Sequence, residues 1–168
     1  MSAAEHRKDA ITELDVALLT LSTTRSLDND PSGNWMAEHI QAMGHRLVER
    51  AALKDNEDRI REAMSAVVSE YNPHLVITTG GTGAAMRDVT IEAVRPLFSR
   101  ELPAFSVLFA HISYKQIGSA AILSRSMAGV IDKTAVFCLP GSINAVRLAC
   151  EMLIFPEMGH LARHIRSK

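Results

Sequence analysis

Short apolar runs and longer amphipathic stretches take turns along this chain. Leu14, Val16, Leu18, Leu19 and Leu21 make the first run, which fits a strand covered on both faces, as in a parallel sheet. A polar stretch follows, with Asp28, Asp30, Pro31, Ser32 and Gly33 as turn and cap residues. Apolar residues then recur at Trp35, Met36, Ile40 and Met43, the spacing of one helix face, and Gly44 is a natural stop. A second strand is predicted over about 45–52, carrying Leu47 and Val48. The next helix is capped by Asp55 or Asn56 and has an acidic first turn. Its stripe is Ile60, Met64, Val67, Val68 and Tyr71, and Asn72 and Pro73 end it. Leu75, Val76 and Ile77 open a third strand. Strand, helix, strand, helix, strand predicts a doubly wound sheet with right-handed crossovers.

Beyond Thr90, read as a cap, a helix runs to about Arg95, where Pro96 interrupts it. Pro103 starts another, with Phe105, Leu108, Phe109 and Ile112 on one face. The small residues of IGSAAILSRSMAGV, 117–130, fit either a helix or irregular chain. Two strands follow, joined by a tight turn at Asp132 and Lys133, and the second, Ala135 to Leu139, is continuous enough to be central. Ser142 caps the last long helix, which turns Val146, Ala149, Cys150, Leu153 and Ile154 inward and is divided at Pro156. The basic tail GHLARHIRSK reads as a solvated final helix.

A length of 168 residues suits one domain, set here at 14–168 behind a flexible polar segment, 1–13. With 47% hydrophobic and 22% charged residues, it can bury a core without disulfides. Cys138 and Cys150 sit inside apolar patterns and read as buried, reduced thiols. A net charge of −1 implies no broad basic face and argues against a nucleic-acid partner. The first residues lack the apolar core of a signal peptide, and no apolar run approaches the ~20 residues of a membrane span. A cytoplasmic protein without a membrane partner is the expectation.

Candidate chemistry gathers where strands end. In open α/β sheets ligands bind beyond the C-terminal strand ends, where strand order reverses. Three turns leave strand ends for helices: the Asp30–Gly33 loop, the Gly80–Asp88 loop and the Pro140–Ser142 turn. All three are expected to line one crevice. The glycines of VITTGGTGAAMRDVT, 76–90, let backbone N–H groups meet an anion closely, and a helix N-terminus behind them would add a favourable dipole. The stretch has neither the lysine of a P-loop nor the spacing of a dinucleotide fingerprint. A tight turn is an equally good account of the glycines alone. Asp88 would normally be repelled by phosphates. It is therefore a metal ligand bridging through Mg²⁺, a proton acceptor, or an acid held by Arg87 or a helix cap. Asp55 either caps its helix or faces the same crevice. The seven histidines show no zinc-ligand pair.

The loop DNDPSG (28–33), TTGGTG with RDVT (78–90), ELPAFSVLF (101–109), IGSAAILSR (117–125) and LPGS (139–142) occur in this order. Together they resemble the molybdenum cofactor biosynthesis proteins of the MoaB/Mog type, on the MoaB branch, over nearly the whole chain. Ala104 stands where that family usually has glycine, and Ile143 and Asn144 depart from its pattern after PGS. The resemblance implies a three-layer α/β fold, Rossmann-like and molybdopterin-binding, with a mostly parallel sheet and helices on both faces. It implies a homotrimer, sometimes a hexamer, working with other proteins of the pathway. The implied activity joins the terminal phosphate of molybdopterin to AMP from Mg·ATP and releases pyrophosphate. Asp88 and Asp55 would be the catalytic carboxylates, with Mg²⁺ on Asp88. Ser32, Gly33, Thr79, Gly80, Gly81, Thr82, Gly83, Ser119, Pro140, Gly141 and Ser142 would hold substrate. The alternative is a molybdopterin-binding or scaffold protein of the same pathway that performs no transfer.

Overall fold

The computed structural model describes residues 10–167. The strands β1 (Asp15–Leu21), β2 (Arg46–Leu53), β3 (Leu75–Thr79), β4 (Arg100–Glu101), β5 (Met127–Ile131) and β6 (Thr134–Leu139) form one sheet in the order β2-β1-β3-β6-β5-β4. Its four neighbours β2, β1, β3 and β6 are parallel; β5 runs antiparallel to β6, and β4 antiparallel to β5. The helices are α1 (Pro31–Ala42), α2 (Glu57–Tyr71), α3 (Thr90–Val94), α4 (Pro103–Ile117), α5 (Ile143–Ala149) and α6 (Met158–Arg166). The short strand β4 had no apolar signature, because Arg100 and Glu101 are both exposed.

Continuous apolar strands mean two buried faces, and the pleat sorts them. Leu14, Val16 and Leu18 pack with Leu75, Ile77 and Phe137 against α1, α4, α5 and α6. The alternate residues Ala17, Leu19 and Leu21 pack with Val76, Val136 and Cys138 against Ile60, Met64 and Val68 of α2 and Ile91 and Val94 of α3. The molecule is thus a three-layer, mostly parallel α/β fold. Burial pushes the Cys138 thiol up to about 12, and raises that of Cys150 too, so both stay protonated within the core.

Several expectations need correction. Leu108 and Tyr71 point outward, at 51% and 41% exposure, while Phe105 and Phe109 carry the inward face of α4. Thr90 does not cap α3. It is the helix's first residue, and its hydroxyl donates to the Gly80 carbonyl instead (2.8 Å). Residues Gly118–Leu123 form a 3₁₀ turn, and the last long helix widens into a π-helical turn at Cys150–Ile154 before Pro156. The final helix α6 is docked rather than merely solvated: Met158 and Ala162 are buried, and Arg166 donates to the Asn72 and Pro73 carbonyls (2.6 and 2.8 Å). Most of the segment 1–13 lies outside the described residues; within it, the Ile11 amide donates to the Gly159 carbonyl (3.1 Å).

Register is what builds a site from these strands. Thr20 lies opposite Thr79, Thr79 opposite Leu139, and Leu21 opposite Leu53. Four parallel strands therefore end level, and the loops that follow them start side by side.

Candidate functional site

A cleft of about 530 Å³ opens over these level strand ends. Its floor is the Gly80–Gly83 loop, with the Pro140–Ser142 turn beside it. Ser22 to Arg25, beyond β1, form one side, and Asp55, two residues past the end of β2, reaches in next to Arg87 and Asp88. Phe109, Ser113 and Ile117, one face of α4, stand over it with residues of the following 3₁₀ turn. The strand order reverses beside β1 and β3, so the cleft occupies the switch point expected for this architecture.

Of the three turns expected to line the crevice, the second and third do. The Asp30–Gly33 loop does not, and Ser22–Arg25 takes its place. Asp30 is fully buried: its carboxylate accepts from the Thr20 hydroxyl (2.6 Å) and from the Gly33 amide as the N-cap of α1 (3.0 Å), and it pairs with Arg50 (3.4 Å). Ser32 and Gly33 are buried in the first turn of α1, and the Ser32 hydroxyl donates to the Gly141 carbonyl (3.0 Å). They brace the wall from behind. Thr79 is buried within β3, and Ser119 is exposed outside the lining. Gly80, Gly81, Thr82, Gly83, Pro140, Gly141 and Ser142 line the cleft. Ser142 also caps α5 through the Ala145 amide (3.3 Å).

The loop needs its glycines. Gly80 has φ of 99°, and a Cβ there would lie 2.0 Å from the Leu21 carbonyl oxygen. A Cβ on Gly83 would meet the Asp88 carboxylate at 2.5 Å. The chain is therefore bare where it bends back toward the acid. The dipole expectation does not hold: α3 starts only at Thr90 and spans five residues, so no long helix stands behind the glycines.

Asp55 and Asp88 settle into different places than a cap would give. Asn56 is the N-cap of α2, accepting from the Arg59 amide (3.0 Å), which leaves Asp55 for the cleft. Its Oδ1 is buried without a hydrogen-bond partner among the described residues. Burial raises the Asp55 carboxyl above its ordinary range and the Asp88 charge adds to this, while the Thr23 backbone and Arg87 oppose it. The Asp88 carboxylate accepts from the Ala85 amide (3.0 Å), and no ion pair joins it to Arg87 among the described residues. The charged lining is thus two carboxylates, Asp55 and Asp88, and two guanidinium groups, Arg25 and Arg87. Among the described residues, no group of three or more His, Cys, Asp or Glu could hold a metal ion.

Sequence reading missed Arg25, whose guanidinium donates to the Gly141 carbonyl (2.7 Å) at the cleft edge. A cation four residues past the end of β1 was the available signal. It missed Ser113 as well, which is legible as the middle of the i, i+4, i+8 series Phe109, Ser113, Ile117.

A level-ended parallel sheet with a glycine loop, two acids and two arginines at its switch point makes this an α/β protein with a charged cleft where such sheets bind their ligands. Residues 17–160 match the family model described as "Probable molybdopterin binding domain". The molybdenum cofactor biosynthesis protein B of Bacillus subtilis is 44% identical over 167 residues, covering 99% of this chain and 98% of that protein. A crystal structure of a molybdenum cofactor biosynthesis protein B superposes with a TM-score of 0.90 at 40% identity, covering 95% of this chain and 99% of that one. The tungsten cofactor synthesizing protein MoaB from Pyrococcus furiosus gives a TM-score of 0.82 at 33% identity, covering 94% and 100%. The chain belongs to the MoaB/Mog family of molybdenum cofactor biosynthesis proteins. No helix among the described residues is long and apolar enough to cross a membrane.

Proposed function

We propose that this protein binds molybdopterin and adenylylates its terminal phosphate. A phosphate oxygen of the pterin attacks the α-phosphorus of ATP, a new P–O bond forms, and the bond to the leaving pyrophosphate breaks. The observation that carries the reading is Asp55: a buried, partnerless carboxylate oxygen beside Asp88, in the cleft that the glycine loop floors. An ionised acid left in that state costs stability unless a ligand satisfies it.

Two carboxylates with free acceptor capacity fit Mg²⁺, which takes one or two protein carboxylates and completes its shell with water and phosphate oxygens. Asp88 and Asp55 would hold it, and when bound it would neutralise charge on the nucleotide phosphates. The rest falls to the chain. The loop amides hold the pterin phosphate, Arg25 and Arg87 offset its charge, and the α4 face Phe109–Ser113–Ile117 shields the cleft from water. Such transfers depend mainly on positioning and charge stabilisation. The test is pyrophosphate release from molybdopterin, Mg²⁺ and ATP, with Asp88→Asn as control; release no greater than the control's ends the enzyme reading.

Binding without transfer was suggested by Ile143 and Asn144. Neither residue lines the cleft; that reading expects tight pterin binding with no ATP turnover, so turnover would eliminate it. We also propose a homotrimer, with a hexamer as the alternative. Supporting it, Val107, Leu108 and Tyr114 are exposed on the side of α4 away from the cleft, and Ile122 and Met152 are exposed as well; apolar side chains grouped in this way are ordinarily covered by a partner. Light scattering at micromolar concentration showing a monomer overturns it.

A further inference from the structure

We propose that Arg125 is a positioning residue for the glycine loop, gripping its carbonyls so that its amides and Asp88 face the ligand. The proposal rests on the reading of that loop as the phosphate-holding element. Between the end of β3 at Thr79 and the start of α3 at Thr90 the chain runs through ten residues, of which Ala84 to Arg87 are exposed. Residue 125 meets this loop on both sides of its tip. Its amide donates to the Thr82 carbonyl (3.0 Å), its Nε to the Gly83 carbonyl (2.8 Å), and its Nη2 to the Asp88 carbonyl (2.7 Å). The remaining guanidinium donors bind the Glu92 carboxylate on α3.

The consequence follows from peptide planarity. In a trans peptide the C=O and the next N–H point in opposite directions. Carbonyls of Thr82 and Gly83 turned toward Arg125 therefore turn the amides of Gly83 and Ala84 away from it. The Asp88 carbonyl is fixed by the same group, so the acid is held in register with those amides. Arg125 itself lies outside the cleft lining; it acts through the loop and touches no ligand there. Glu92 orients the guanidinium. Only arginine offers a planar fork that spans two carbonyls and a carboxylate at once, so lysine is no substitute.

The test compares full-length wild type with Arg125→Lys, Arg125→Gln and Glu92→Gln. Backbone hydrogen exchange is read at residues 82–88 and in β1 and β3, beside molybdopterin affinity, kcat and KM for pyrophosphate release, and Tm. Arg125→Lys and Arg125→Gln should both speed exchange in the loop about tenfold, leave the core strands protected, and weaken pterin binding about tenfold, a loss worth one decade each in local opening and affinity. Pyrophosphate release should lose kcat with little change in KM for ATP. Lysine should fail to rescue, and Glu92→Gln should fall between. Wild-type loop exchange and affinity in Arg125→Lys overturn the proposal. So does faster exchange spread evenly through β1 and β3 with a falling Tm, which is general destabilisation. Wild-type protein that releases no pyrophosphate overturns the transfer reading alone, because exchange and pterin binding score Arg125 without turnover.

Discussion

Two aspartates sit at the same end of the sheet and do opposite things. Asp30, reached by the loop after β1, is buried and saturated: hydroxyl, amide and guanidinium all meet its carboxylate. Asp55, just past β2, is partly buried with an oxygen that meets nothing. Similar side chains in neighbouring loops are thus divided into a part of the scaffold and a part of the site. A buried acid with its partners in place stabilises the fold; one without them is held at a cost and is poised for a ligand.

That division can be broken in several ways. The largest effect belongs to function: Asp55→Asn and Asp88→Asn should each lower pyrophosphate release by ~10²–10³, about 3–4 kcal/mol, by analogy with the loss of a charge-stabilising group. Equal turnover in wild type and both variants would sink the catalytic assignment. Next is Asp30→Ala, which removes a helix cap, takes the acceptor from the buried Thr20 hydroxyl and leaves Arg50 with Asn34 alone; we expect a loss of about 3 kcal/mol in denaturant titration. A change within 0.5 kcal/mol, on the order of ordinary surface substitutions, would mean that Asp30 is no scaffold.

Asp55→Asn should move stability the other way. Its folded carboxyl is raised above the ordinary 3.8, so as pH climbs from there through the raised value the folded state keeps a proton that the unfolded chain has released. Stability falls across that window, and at neutral pH the ionised form remains a burden. The variant should therefore melt higher at pH 7 and show a flatter slope above pH 3.8; a lower Tm at pH 7 would place Asp55 with the scaffold. Ser142→Ala should cost about 1 kcal/mol through the α5 cap, readable in the same titrations. The smallest effect is at Glu92, whose carboxyl Arg125 holds below the ordinary 4.5. Its contribution is complete above pH 4.5 and disappears as pH falls through the lowered value. Wild type and Glu92→Gln should converge in stability at that acid end, and a constant offset across the range would count against the clasp.

Much of the fold was legible because it is local. The β1 run, the α2 stripe from Ile60 to Val68, and the Asp132–Lys133 turn, where Asp132 adopts φ of 51°, all follow from side-chain type and spacing. The strand ends and the glycine loop also placed the cleft. Ser32 and Gly33 sit behind the cleft wall rather than in its lining, a placement that depends on a distant partner: the Ser32 hydroxyl is drawn to the Gly141 carbonyl, 109 residues away. Leu108 failed because α4 is apolar on both sides, so periodicity alone cannot say which side meets the sheet.

By itself, then, the sequence determined where five of the six strands and the main helices form, that the sheet is covered on both faces, and that glycines and acids follow the strand ends. Those features depend on neighbours within a few residues. Only the tertiary structure decided that Asn56 rather than Asp55 caps α2, that Asp30 rather than Asp55 is satisfied, and that Arg125 closes the glycine loop from behind. Each of these is a choice between groups of equal local merit. For the two aspartates the tertiary contacts make the choice, by surrounding the Asp30 carboxylate with partners and leaving one oxygen of Asp55 without any.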